Sequence, residues 1–213
     1  MAITINNLLK EVGLNPANLK RVKWGEKFAC QEIGIYIVST CCDSSRNENL
    51  YSSAPIDDKM LAFWLNKVPG MKLDGNRPSV QELKQRLADF WLPEENIVYI
   101  GQTENSLAKR VGQYYMTELG DAKPHAGGHW LKTLKILNDL WVYYLPCPSP
   151  KEVEEKLLDC FWRLSSQKES PSLLNENLLL CFSKENLVLP FANLELTRGK
   201  RKKHGITGST LKS

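Results

Sequence analysis

The chain has no apolar run approaching the roughly 20 residues that a helix needs to cross a bilayer, and this excludes the ordinary helical membrane protein. Its opening stretch, MAITINNLLKEVGL, has neither a basic n-region nor a long apolar segment, so no secretory leader is expected. No CxxC pair occurs, which argues against a structural zinc site. Internal repeats and low-complexity tracts are absent. From Thr197 onward there is no acidic residue at all, a local absence that turns out to be informative.

What is present is ordinary in bulk. The 213 residues are 42% apolar and 24% charged, enough for one large domain or for a small core carrying a sizeable insertion. Six cysteines (Cys30, Cys41, Cys42, Cys147, Cys160, Cys181) in a chain of this size, with no export signal, read as reduced thiols in a cytoplasmic protein. The net charge of +4 is unevenly spread. Six basic residues lie after position 196, leaving 22 basic against 24 acidic residues before it, a net of −2. A basic end on a nearly neutral body suits a polyanion partner, because each phosphate contact releases counterions; a solvated terminus is the plain alternative. Residues 197–213 are accordingly read as a basic tail, with Lys200, Arg201, Lys202 and Lys203 as candidate nucleic-acid contacts.

Periodicity divides the rest. Residues 4–20 have an amphipathic helical pattern through Ile5, Leu8, Leu9 and Val12, so 1–32 is read as an N-terminal helical extension. Strands are expected at Ile33–Ser39, Ile97–Ile100 and Leu140–Leu145. Helices are expected at Asp57–Val68, after the capping box Ser79-Val-Gln-Glu82, and over Ser106–Tyr115 and Leu131–Leu140. A further helix starts at Pro150, a residue suited to a first turn. The pattern is an α+β protein: a small three-stranded, mainly antiparallel sheet flanked by helices, with a helical insertion at about 41–95 between its first two strands. The segment from Leu189 to Leu196 has the composition to fold over this core.

Two strand motifs place a tyrosine beside a glycine: Gly34-Ile35-Tyr36 and Tyr99-Ile100-Gly101. Downstream, SLAKRVGQYY sets Tyr114 four residues after Arg110, on the same helix face. PKEVEEKLLDCF then supplies Glu154, with Glu155 as its close competitor. Together these residues resemble the GIY-YIG nuclease family, over about residues 33–40 and 96–177. The interval of 63 residues between Tyr36 and Tyr99 is longer than the family's usual hairpin. The resemblance implies a domain over 33–196 that hydrolyses DNA phosphodiesters with one Mg²⁺ or Mn²⁺ and no organic cofactor. Family members serve in restriction, excision repair, recombination and mobile introns.

By the same resemblance, Glu154 (or Glu155) holds the cation, Arg110 clamps a nonbridging phosphate oxygen, and a tyrosine takes the proton from water. Tyr36 is the favoured base, with Tyr99 and Tyr114 orienting water and phosphate. A phenol ordinarily titrates near ~10, so a cation or Arg110 must help it ionise. Gly34 and Gly101 support the site, and the family asparagine best matches Asn175, with Asn177 as fallback. Lys109, Lys123 and His125 are candidate backbone contacts. His125 and His129 have i,i+4 spacing, but Gly127-Gly128 between them reads as a loop rather than a metal-binding helix face. A double-strand cut needs two active sites, which leaves a homodimer open. The alternative reading is a non-catalytic nucleic-acid-binding module on the same scaffold, its cleft covered by the insertion.

Overall fold

The described residues form five α-helices and eight strands. A computed structural model describes residues 3–122, 128–168, 188–197 and 200–211. Helix α1 (Ile5–Glu11) and strand β1 (Lys20–Lys23) precede β2 (Gly34–Ser39). Next come α2 (Asp58–Lys67), the two-residue β3 (Lys72–Leu73) and α3 (Val80–Ala88), then β4 (Ile97–Thr103) and α4 (Leu107–Met116). Strand β5 (Trp141–Pro146) leads into α5 (Pro150–Lys168), and β6 (Glu195–Thr197), β7 (Lys200–Arg201) and β8 (Ile206–Thr207) follow. Side-chain caps start the helices. Asp57 accepts from the Lys59 amide, the Ser79–Glu82 box closes in both directions, and Ser106 accepts from Lys109.

The main sheet is antiparallel throughout, in the order β1-β5-β2-β4. Strand β2 is central and every residue of it is buried, as expected of a continuous apolar run. In its register Tyr36 stands between Gly101 on β4 and Tyr144 on β5. A bulge opposite Val38 and Ser39 turns both Val98 and Tyr99 towards one face. That face carries Tyr36, Val38, Val142 and Tyr144 under α2, α3 and α4. The other face carries Ile35, Ile37, Ile100 and Tyr143 against α1 and α5. No helix among the described residues is long and apolar enough to cross a membrane. Five of the cysteines are free thiols, and Cys181 lies outside the described residues.

Three expectations are corrected. The sheet has a fourth strand, β1, inside the segment expected to be a helical extension. Its sequence, Lys-Arg-Val-Lys, has a single apolar residue because it forms an edge, and edges are commonly blunted with basic side chains. Residues 131–140 form two 3₁₀ turns, Leu131–Thr133 and Leu137–Asp139, rather than a helix. Their backbone is drawn sideways instead: the Thr133 carbonyl accepts from Asp57 N, and Lys135 N donates to the Pro55 carbonyl.

The third correction concerns the basic tail, which folds. Leu189, Phe191 and Leu196 are buried, as the composition of that segment suggests; beyond them Ile206 is buried too, and β8 pairs with β3 of the insertion. Trp64 Nε1 donates to Ser209 O at 2.9 Å and Arg86 Nη1 to His204 O at 2.9 Å. The C-terminal segment is thus a clasp that fastens the insertion to the sheet.

Candidate functional site

The two glycines of the strand motifs create the space that the tyrosines fill. A Cβ on Gly34 would collide with the Leu145 carbonyl oxygen and come within 2.9 Å of Leu107 Cδ1, so this glycine lets β5 and α4 close on β2. A Cβ on Gly101 would lie 2.7 Å from Tyr36 Cζ and 2.8 Å from its hydroxyl oxygen. The Tyr36 ring therefore lies flat across the neighbouring strand, over the one position without a side chain. Tyr99, on the same face, has its ring centroid 5.8 Å from that of Tyr36.

Helix α4 completes the cluster. The segment entering β2 fixes its start: Leu107 N donates to Glu32 O, Ala108 N and Ser106 Oγ both donate to Cys30 O, each at 3.0 Å. This anchorage sets Tyr114 with its ring 6.4 Å from Tyr36 and 5.4 Å from Tyr99, and Arg110 one turn earlier. Gly128 packs on the Tyr114 hydroxyl, closer than any side chain could. Glu154 arrives from α5, which runs along the edge strand β4.

Electrostatics tie these five side chains together. Burial raises the Tyr36 pKa; the Arg110 cation opposes that rise and the Glu154 carboxylate adds to it. Tyr99 and Tyr114 are driven well above the ordinary phenol value, first by burial and then by neighbouring groups including Tyr36. At Tyr36 desolvation outweighs the pull of Arg110. Among the three, Tyr36 is the one displaced least. Its hydroxyl is buried, and hydrogen bonding from Tyr99 and Arg110 pulls against that burial.

Burial and the neighbouring Glu155 lift the Glu154 pKa to about 7, against the pull of Arg110. Glu155 itself is exposed, which separates the two candidates in favour of Glu154. A hard divalent cation fits this set of oxygen donors. Among the described residues no group of three or more His, Cys, Asp or Glu side chains converges. A cation beside Glu154 would therefore keep most of its water, as Mg²⁺ does.

No protein-family model, curated protein or solved structure matches this chain. Geometry and chemistry alone therefore carry the reading of the site.

Other sequence candidates divide. Lys109 is exposed beside Arg110, on a polar cleft of about 300 Å³. Lys200 and Arg201 are exposed, the latter paired with Glu195 at 3.0 Å, and Lys203 is exposed too. Lys202 is corrected: it is 6% exposed, donates to the Pro190 and Phe191 carbonyls at 2.9 and 3.0 Å, and faces the Phe90 and Trp130 rings. It anchors the clasp and cannot meet a nucleic acid. His129 is buried against Trp64, and burial holds its pKa at about 4. Lys123, His125, Asn175 and Asn177 lie outside the described residues.

A residue that sequence reasoning missed is Asn193. Its Oδ1 accepts from Ile100 N at 2.8 Å and its Nδ2 donates to Ile100 O at 2.7 Å, while Ala192 N donates to Val98 O. The side chain acts as one further strand residue on the free edge of β4 and pins the backbone between Tyr99 and Gly101. The apolar run Leu-Pro-Phe-Ala around it signals only burial.

Proposed function

We propose that this protein is a metal-dependent DNA endonuclease of GIY-YIG type, its core extended by β1 and roofed by the insertion. The observation that carries the reading is the convergence of Tyr36, Tyr99, Tyr114, Arg110 and Glu154, drawn from two strands and two helices, around one buried hydroxyl. Such groups taken singly are common packing or surface residues. Five on one locus, with pKa values displaced by burial and by each other, mark a candidate site.

In the proposed mechanism a water oxygen bonds to phosphorus as the bond to the 3′ oxygen breaks, and the departing oxygen takes a proton from solvent, leaving a 3′ hydroxyl and a 5′ phosphate. Arg110 holds a nonbridging oxygen and neutralises charge on the phosphate. Tyr36 takes the proton from the attacking water, and Tyr99 and Tyr114 keep that ring in place. Glu154 would hold a divalent cation, which would supply positive charge to the departing oxygen and to the Tyr36 phenolate. The free thiols accord with a reducing, cytoplasmic setting.

Purified protein incubated with supercoiled plasmid and Mg²⁺ or Mn²⁺ tests this. Nicking is expected, and Arg110→Ala and Glu154→Ala should each remove it while the melting temperature stays close to that of the parent. Nicking that persists in both variants, or none from the parent on any DNA form, overturns the reading. The burial of Tyr36 and Tyr114 favours a second reading, a binding module whose site is covered. That module would show DNA affinity falling steeply with salt, indifferent to metal and without cleavage.

A further inference from the structure

Beside the tyrosine cluster lies the cleft of about 300 Å³, lined by the Gln102–Asn105 turn and by Lys109, Arg110 and Gln113 of α4. Arg110 belongs to both, so whatever enters the cleft is continuous with the group bound at the cluster. No apolar or aromatic side chain lines it, which excludes an aliphatic ligand and leaves no ring on which a base could stack. What lines it instead is three carboxamides (Gln102, Asn105, Gln113), the Thr103 hydroxyl, the Glu104 carboxylate and two cations. Cations suit phosphate. Carboxamides carry a donor and an acceptor in one plane, the complement of a nucleobase edge.

One atom decides between backbone and base. Gln102 lines the cleft, and its Oε1 is turned out of water without a hydrogen-bond partner among the described residues, so a rotation of its carboxamide towards a donor in the cleft would satisfy it. A DNA sugar–phosphate backbone offers acceptors only and would leave that oxygen unmatched. A base edge brings amino or imino N–H donors, and in RNA the 2′ hydroxyl is another donor. Small-molecule sites span roughly 300–1,000 Å³, so this cleft admits a single nucleotide and not a paired duplex.

We propose that the cleft receives one unpaired nucleotide next to the scissile phosphate, its base edge read by Gln102 and Gln113 and its phosphate held by Lys109. The inference rests on the nuclease reading for its place beside a cut, and its own binding chemistry is testable apart from it. Recognition by edges without stacking makes the site selective among bases but weak for an isolated nucleotide. It also makes single-stranded or branched nucleic acid the substrate class.

The test is an NMR titration of the full-length, ¹⁵N-labelled protein with each deoxynucleoside 5′-monophosphate, with AMP, and with inorganic phosphate. The side-chain amide signals of Gln102, Asn105 and Gln113 are followed. At least one deoxynucleotide should shift Gln102 and Gln113, with affinity falling roughly tenfold in Gln113→Ala, a helix-surface change that preserves the fold. Inorganic phosphate should shift Lys109 and leave Gln102 unmoved. A shift with AMP but with no deoxynucleotide would make the donor the 2′ hydroxyl and overturn base reading. Equal shifts from every nucleotide and from phosphate would overturn the proposal. Base-selective binding in a protein that never nicks DNA would uphold the cleft while ending the nuclease reading. Nicking by a protein whose amides ignore all nucleotides would do the reverse.

Discussion

At the C-terminal clasp the Lys202 ammonium meets two carbonyls and two aromatic faces, whereas at the tyrosine cluster the buried Tyr36 hydroxyl meets two further phenols, an arginine and a glutamate, all of which can ionise. Both regions bury polar groups against the same face of one sheet. In the clasp the polar groups are matched: Arg86 to Asp74 and the His204 carbonyl, and the Trp64 indole to Ser209. In the cluster an arginine, a glutamate and three phenols shift one another's ionisation instead. The clasp therefore reads as architecture and the cluster as the proposed place of chemistry. The same difference explains why a lysine from the most basic run of the chain is structural, while a tyrosine from an apolar strand is the candidate base.

Breaking the clasp should have the largest effect on folding. Lys202→Ala opens a cavity and orphans the Pro190 and Phe191 carbonyls, at an expected cost of about 2–5 kcal/mol in urea unfolding. The same residue supplies a pH test. Burial lowers its pKa from 10.5 to about 7, so between those values the unfolded chain binds more protons than the folded one. Stability contributed through Lys202 should therefore rise with pH across that window. The difference between parent and Lys202→Met, measured at pH 7 and pH 9, isolates this slope from the thiols and phenols that also titrate. A flat difference would mean that the two carbonyls and rings keep the ammonium charged.

Next in size is Gly101→Ala, in the cluster. The added methyl lands on the Tyr36 ring, and overpacking of this kind costs about 1–3 kcal/mol. Displacing the base should also reduce nicking roughly 100-fold. Tyr36→Phe sharpens the contrast further. It removes one hydroxyl and leaves the ring packing, so unfolding should show a loss of no more than about 1.5 kcal/mol, with cleavage abolished. A Tyr36→Phe loss as large as that of Lys202→Ala would make the hydroxyl structural and would dissolve the distinction between the two regions. The smallest effect is expected at Gly112, in the interior of α4, where a Cβ meets nothing within 4 Å. Gly112→Ala should add up to about 1 kcal/mol through helix propensity, leaving cleavage unchanged.

Much of the site was legible because its parts sit on strongly patterned elements. Strands β2 and β4 are apolar runs, α3 and α4 begin with serine caps, and the i,i+4 spacing of Arg110 and Tyr114 survives unchanged in α4. Strand β1 was hidden, since an exposed edge needs basic residues that look like a solvated segment. Asn193 was hidden because its role is a pair of hydrogen bonds to Ile100, 93 positions earlier in the chain. The basic run after position 196 misled because charge density says nothing of which ammonium will find carbonyls and rings to bury it.

Sequence by itself determined strands β2, β4 and β5, helices α2 to α5 and the tyrosine–glycine alternation, because these depend on neighbours within a turn or two. Only the tertiary structure decided that Tyr36 lies over Gly101, that Glu154 rather than Glu155 faces Arg110, and that Lys202 is buried. Those outcomes depend on which distant backbone comes within hydrogen-bonding reach and on how much water is excluded there, and neither quantity is carried by any local stretch of chain.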